Sequence, residues 1–414
     1  MLQNYLKIAW KVLGRNRFFT FVSLFGISFT LAVLIIITAF LSEMLGPSYP
    51  ETNRNRLLYI NRVIQDHTDG GSIMIGLASF HLLHNYIQKL KTPEAVTIVS
   101  AEYPTNTFVG NRKLRLTLRH TDATFWQVLD FTFLLGGPYY SHHISNGDYV
   151  AVINKSTQEA YFGKGVDAVG KTITTDNISY RVIGVVKDVP IYQNTSADIY
   201  VPYSTSRANL KKRDYMGDYI GIILAKSPRD FTAIQSELNE IVAKIPVEKN
   251  DNYNRLRVFA YRRAEYFAWV LFRTSNDEQP SATAFYGAII MFALLFMLLP
   301  TLNLVNINTS RIMERASEIG VRKAFGASRG TLMMQFMIEN IILTLLGGAI
   351  GLGIAALALN IIQNSGVIPY AQLSINFTVV LTAIILCIIF GLLSGVLPAL
   401  RMSRMQVVQA IRGG

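Results

Sequence analysis

From Phe18 to Ser42 the chain reads FFTFVSLFGISFTLAVLIIITAFLS, without one charged side chain. A bilayer core of about 30 Å is crossed by about 20 apolar helical residues, so this run is long enough to span it. A cleaved signal peptide has an apolar centre of only about 7–15 residues and ends at a small-x-small site. This run is longer and has no such ending, so it reads as an uncleaved span over 18–42. Residues 279–310 are also uncharged and hold a second span, roughly Thr283 to Val305. From Gly330 to Leu400 the only charged residue is Glu339. Two more spans fit there, 336–362 and 377–397, separated by the polar stretch Gln363-Asn364-Ser365-Gly366 and by Pro369. The composition agrees: the chain is 50% hydrophobic and only 16% charged, an apolar excess that lipid contact accounts for. The expected class is a membrane protein with four transmembrane α-helices plus an α+β extracytoplasmic domain of two subdomains.

The basic residues orient these spans, because short loops rich in Lys and Arg stay in the cytoplasm. Lys7, Lys11, Arg15 and Arg17 precede the first span, Arg311, Arg315, Arg322, Lys323 and Arg329 follow the second, and Arg401, Arg404 and Arg412 follow the fourth. The loop 363–376 carries no charge. Both termini are therefore expected in the cytoplasm, and residues 43–280 on the far side of the inner membrane. The three basic segments, with Glu339, hold 12 basic and 3 acidic residues of the 39 and 27 in the chain. Most of the net charge of +12 is thus an orientation signal, which excludes nucleic acid as its target. The single cysteine, Cys387, lies in an apolar run and forms no intramolecular disulfide.

Three cytoplasmic features stand out. Within residues 1–17, Leu2, Tyr5, Leu6, Ala9, Trp10 and Leu13 share one face of a helix over 2–13, which suits the inner headgroup layer with Trp10 at the interface. The segment 306–335 has the pattern of a stalk projecting from the second span. In it Glu318 stands four residues before Arg322, the favourable order on a helix, and Gly320 and Gly326 allow a bend or a close approach. Glu339 lies near the cytoplasmic end of the third span, where docking to an Arg or Lys of a cytoplasmic helix suits it better than proton transport. Gly347-x-x-x-Gly351 and Gly391-x-x-x-Gly395 are small-residue spacings that permit close helix packing. Four helices are few for enclosing a channel, so a dimer is expected.

Residues 43–280 alternate between strand and helix patterns. Strands are expected near 56–64, 112–119, 148–153, 178–187, 198–203, 219–226 and 256–262, and helices near 79–90, 121–129, 155–162 and 229–244. Thr121 or Asp122 is placed to cap the second helix. Gly136-Gly137-Pro138 and Ser145-Asn146-Gly147 are breakers. Catalytic patterns are missing. His81 and His84 lack a third ligand, His142-His143 fall in a turn, and there is no GxSxG elbow or HExxH pair, so neither a catalytic residue nor a metal site is expected. Nor is there a GxxxxGK[ST] phosphate loop, since Gly163-Lys164-Gly165 lacks the spacing, so this chain is expected to be no enzyme, to bind no cofactor and to hydrolyse no ATP.

The stretch Ser317-Glu318-Ile319-Gly320-Val321-Arg322-Lys323-Ala324-Phe325-Gly326-Ala327 resembles the EIGxRxAxGA motif of MacB-like/FtsX-like ABC transporter permeases. Gln335-Phe336-Met337-Ile338-Glu339 and the run Gly347-Gly348, Gly351, Gly353 are similar to the third span of that family, and 398–412 to its tail, with Val407 where the family often has proline. NYLKIAWKVLGRNRFF with FGISF, DYVAVIN, VGKTI and YRVIGVVKD also resemble it, in the same order. The resemblance implies that 43–280 is a MacB-like periplasmic core domain and that a separate ABC ATPase, with its ATP and Mg, binds Arg311 to Ala327. Arg311, Arg315, Glu318, Gly320, Arg322, Lys323 and Gly326 are then the ATPase-coupling residues. It further implies a homodimer or a heterodimer with a related permease, a periplasmic adaptor as partner, and mechanotransmission, in which ATP-driven closure moves stalk and spans as levers. Drugs, peptides, toxins and lipoproteins are the cargo classes of the family. The alternative is an FtsX-like signalling subunit that activates an outside enzyme such as a peptidoglycan hydrolase. A structural scaffold without an ATPase leaves the coupling motif unexplained.

Overall fold

The structure, a computed structural model, describes residues 17–70, 72–247, 253–272, 281–314, 320–322, 324–326, 328–370, 373 and 375–404. The amphipathic segment with Trp10 lies outside the described residues. Two compact units form: one of Met1–Glu43, Tyr286–Val367 and Gln372–Gly414, the other of Met44–Phe285 with Ile368–Ala371.

The first unit is helical. Three described helices are long and apolar enough to cross a membrane, over Thr20–Leu45, Gly330–Ser365 and Phe377–Val396. They belong to the helices Arg17–Leu45, Arg329–Ser365 and Phe377–Arg404. A further helix, Ala282–Glu314, runs for 33 residues, with Ala282–Leu298 as its described apolar stretch. Along Arg329–Ser365 the buried positions include Asn340, Thr344, Gly347, Gly348, Gly351 and Ala355. Spacings of three and four keep them on one stripe. The opposite side carries Leu345, Ile350, Ile354, Leu357 and Ile361, between 43% and 65% exposed. Ser328 caps this helix, its hydroxyl accepting from the Thr331 N–H at 3.1 Å.

The second unit is α+β. Among the described residues its thirteen strands form one sheet. Six come from the two ends of the domain: β1 (Leu57–Asp66), β2 (Ile73–Ala78), β3 (Ala95–Ser100), β11 (Met216–Gly217), β12 (Tyr219–Leu224) and β13 (Arg255–Tyr261). Seven come from its middle: β4 (Tyr103–Val109), β5 (Arg112–Thr121), β6 (Phe133–Gly136), β7 (Val150–Asn154), β8 (Thr172–Thr175), β9 (Ile178–Val186) and β10 (Ile199–Pro202). The order is β11-β2-β1-β12-β3-β5-β10-β7-β9-β6, with β13 on β1, β4 on β5 and β8 on β9. The two sets meet only at β3 and β5, whose register has one residue pair, Val99 with Thr121. The sheet therefore has two lobes. The first is antiparallel throughout, and the second contains the parallel pairs β5–β10 and β7–β9.

The first lobe buries Leu82 and Leu83 of the helix Phe80–Asn85 and Ile234 and Leu238 of the helix Phe231–Ala243, all 0% exposed. The second lobe is filled by aromatic rings. Trp126 lies 5.1–5.3 Å, centroid to centroid, from Phe125, Phe131 and Tyr139, in the edge-on geometry that ring quadrupoles favour. Asp122 holds the joint between the lobes. It accepts from the Thr97 hydroxyl, from the Ile98 and Phe125 N–H groups at 3.3 and 3.0 Å, and from Gln88 Nε2 at 2.8 Å.

Several expectations need correction. The helix expected over 121–129 is only Phe125–Val128, because the β5 ladder extends to Thr121. Neither Thr121 nor Asp122 is the N-cap: Thr124 holds that position without a side-chain cap bond, while Asp122 accepts from the Phe125 N–H at 3.0 Å. The helix expected over 79–90 ends at Asn85 and continues as a 3-10 turn, Ile87–Lys89. His142 and His143 lie not in a turn but on a short helix, Ser141–Asn146, closed by Gly147 at φ +68°.

Candidate functional site

The segment expected to couple to an ATPase lies between two long helices. Arg311 is on the last turn of Ala282–Glu314, while Arg315, Glu318 and Lys323 lie outside the described residues. Gly320 is buried in a helical turn, and Gly326 sits at φ +91°, a left-handed conformation that glycine adopts without strain. From this turn Arg322 Nη1 donates to Gln335 Oε1 at 3.0 Å, and Gln335 Nε2 donates to Glu339 Oε1 at 3.3 Å. Glu339 is thus reached from Arg322 through an intervening amide. The segment also leaves apolar side chains uncovered: Phe325 is 88% exposed and Val321 49%.

The four paired glycines all serve contacts inside one chain. A Cβ on Gly347 would stand 2.6 Å from Ile27 Cγ2, and one on Gly351 2.8 Å from the Ser28 carbonyl oxygen. Gly348, between them, faces Cys387 Sγ at 2.2 Å from such a Cβ. On the other spacing, Gly391 faces Thr344 Oγ1 at 2.6 Å and Gly395 faces Asn340 at 3.2 Å. The helix Arg329–Ser365 is therefore the centre of the bundle, with Arg17–Leu45 against one part of its surface and Phe377–Arg404 against another.

Two family profiles match in chain order. Residues 20–241 match the MacB-like periplasmic core domain and residues 290–407 the FtsX-like permease C-terminal region. The chain belongs to the MacB-like/FtsX-like ABC permease family. A probable export ATP-binding/permease protein of Pseudomonas fluorescens (strain Pf0-1) is 26% identical over 77% of this chain and 48% of its own length. The macrolide export ATP-binding/permease protein MacB of Escherichia coli (strain K12) is 22% identical over 98% of this chain and 60% of its own. The permease thus spans about half to three-fifths of the length of these curated relatives. The crystal structure of the periplasmic region of MacB from Actinobacillus actinomycetemcomitans aligns with 53% of this chain and 94% of that one, at 15% identity and a TM-score of 0.37.

In the MacB-like/FtsX-like permease the residue that joins Arg322 to Glu339 is Gln335, which the sequence places in the family-like third-span stretch without giving it a contact. Its position four residues before Glu339 places the two on one helical face, but its link to Arg322 crosses the turn and has no sequence period. In the periplasmic core domain, His81 and His84 border a cavity of about 1080 Å³ lined also by Tyr215, Lys211 and Arg213. Asn85 Nδ2 engages His81 Nδ1 at 2.7 Å, and Gln88 Oε1 engages His84 Nδ1 at 2.8 Å. Burial and the nearby Arg213 hold His81 below the usual imidazole range.

Proposed function

We propose that the chain is the permease subunit of an ABC transporter, in which a separate ATPase, with its ATP and Mg, drives four membrane spans as levers that move the periplasmic domain and expel a substrate. The second span is the helix Ala282–Glu314, and both termini face the cytoplasm of an inner-membrane dimer. The observation that carries this reading is the relay from Arg322 through Gln335 to Glu339. It fastens the coupling turn to the central helix of the bundle, while Phe325 and Val321 stay uncovered for a partner. Export is favoured because the named relatives are export proteins, and the relay gives an ATPase bound at the turn a direct grip on the bundle. This chain, lacking a phosphate loop, hydrolyses no ATP by itself, so turnover by a rigorously pure preparation would refute the assignment.

The test is co-purification with the ATPase, and resistance or secretion in cells, at matched expression. Phe325→Ala, Arg322→Ala and Gly320→Leu should insert normally yet lose the ATPase or its coupling. Truncating a desolvated interface group costs about 2–5 kcal/mol. Full binding and function in all three variants would sink the reading.

A further inference from the structure

The outer domain continues into apolar helices at two places. Residues 44–48 form the end of the helix Arg17–Leu45 and the chain leaving it, and the helix Arg263–Phe272 precedes Ala282–Glu314. Both places are tied to one carboxylate. The Glu51 side chain is 0% exposed. Its Oε2 accepts from Arg54 Nε at 2.8 Å and from the Tyr59 hydroxyl at 2.6 Å, and its Oε1 accepts from the Thr195 hydroxyl at 3.2 Å. Arg263 Nη1 stands 3.7 Å from Oε2.

The two arginines differ in how they are held. Arg54 is fully engaged. Its Nη1 donates to the Met44 carbonyl at 3.2 Å and to the Gly46 carbonyl, and its Nη2 to Ser48 Oγ at 2.9 Å and Gln193 Oε1 at 2.7 Å. A guanidinium at the carbonyl end of Arg17–Leu45 also has the sign that the helix dipole favours. Arg263 donates Nη2 to the Tyr192 carbonyl at 3.0 Å and lies over the Phe267 ring. Its Nε and Nη1 have no hydrogen-bond partner among the described residues. The first arm is therefore a set of directed bonds, whereas the second is charge attraction, which tolerates a change of distance. Burial by itself would raise the Glu51 carboxyl, but Arg54 and Arg263 outweigh it and keep it ionised, below the usual carboxylate range.

We propose that Glu51 is a positioning hub that couples the two connectors, holding residues 44–48 firmly through Arg54 and the helix Arg263–Phe272 yieldingly through Arg263. A displacement arriving along the first apolar helix reaches the domain undiminished, and one arriving along the second is transmitted with slack. The source of the displacement rests on the proposed function; the two arms do not.

Hydrogen exchange on the full chain in lipid nanodiscs separates the arms. Glu51→Gln removes the charge but keeps an acceptor for Arg54. It should speed exchange in Arg263–Phe272 about tenfold and leave 44–48 nearly unchanged. Arg54→Lys keeps the charge pair but loses the fork, so it should do the reverse. Val150–Asn154 should be unaffected by either. Equal loosening of both connectors, loosening of the whole domain, or no change in both variants overturns the hub. Repeating the measurement with the co-purified ATPase and ATP keeps the two readings apart. A wild type with no ATP-dependent change fails the proposed function and leaves the arms standing. A wild-type response at Arg263–Phe272 that survives intact in Glu51→Gln fails the hub alone.

Discussion

In the helix Arg329–Ser365 the hidden side sets Asn340, Thr344, Gly347, Gly348 and Gly351 among the buried Leu332, Leu343 and Leu359, and the open side carries leucine and isoleucine. In strand β9 of the periplasmic domain Tyr180 and Val182 are buried, while Ser179 and Arg181 face outward. The outer strand hides apolar side chains and shows polar ones, whereas the helix hides small and polar groups beside leucines and shows leucine and isoleucine, because their surroundings differ. Water drives apolar surface inward. Lipid offers no such drive, so helices associate by close approach at small residues, and their polar groups are satisfied within the protein. Asn340 Nδ2 donates to the Phe336 carbonyl at 3.0 Å and Thr344 Oγ1 to the Asn340 carbonyl at 2.9 Å, so the buried polar side of the helix satisfies itself locally.

The sharpest way to break this contrast is to place one charge on each unit at a similarly exposed apolar residue. Leu357 is 65% exposed and Phe108, in the outer domain, 62%. If Leu357 faces lipid, Leu357→Lys costs about 2.5–3.5 kcal/mol of insertion free energy, read with a translocon insertion reporter. Phe108→Lys should shift unfolding by less than about 0.5 kcal/mol. Equal costs would mean the helix faces water or protein.

A titration comes next in size, and belongs to the outer domain alone. Burial pushes the Asp122 carboxyl up to about 6, against the Thr97, Ile98, Phe125 and Gln88 donors that lower it. A carboxyl raised on folding binds its proton more tightly in the native state. Its contribution is therefore fully present below the unfolded value near 4 and lost as pH rises through about 6, a change on the order of 2–3 kcal/mol. Glu51, Asp66 and Glu237 are held low and act in the opposite direction, losing stability as pH falls. The Asp122 effect is thus the difference between wild type and Asp122→Asn in denaturant unfolding from pH 4 to 8. Parallel curves would place the charge elsewhere.

The smaller effects test close approach. Gly351→Val drives a side chain into the Ser28 carbonyl and the Ala32 nitrogen at 3.2 Å, backbone atoms that cannot swing aside. About 1–3 kcal/mol of overpacking cost is expected, as loss of monodisperse protein or of thermal stability. Gly353, two residues on, has nothing within 4 Å of an added Cβ. Gly353→Ala should be neutral or mildly stabilising, by at most about 1 kcal/mol. Similar losses at both positions would remove the packing role of the first.

Much of this architecture can be read from local pattern. The β-branched runs of β1, β7, β9 and β12 are long enough to declare themselves, as are the uncharged spans. Other elements hide for identifiable reasons. Strand β4 contains Pro104 and Asn106, poor strand formers that its ladder with β5 overrides. Strand β11 is two residues long. The helix Arg263–Phe272 is crowded with aromatics that blur its period. In the proposed coupling segment the glycines and arginines are visible as a motif, but Gln335 becomes a partner of Arg322 only across the turn. Glu51 reads as one acid in a polar loop, because the groups that enclose it, Thr195 and Arg263, are 144 and more than 200 residues away in the chain.

The order of the strands along the chain has one more consequence. The chain leaves the first lobe at Ala101 and is back in it by β11 at Met216, and the Ala101 N–H donates to the Asp218 carbonyl at 2.6 Å. The second lobe is thus an insertion, entered and left through one narrow doorway, while the first lobe alone owns the peptide links to the apolar helices. A lineage can rewrite, enlarge or exchange that insertion without cutting the covalent line from membrane to periplasm. The insertion and the lobe that carries the apolar helices are free to evolve at different speeds within one polypeptide.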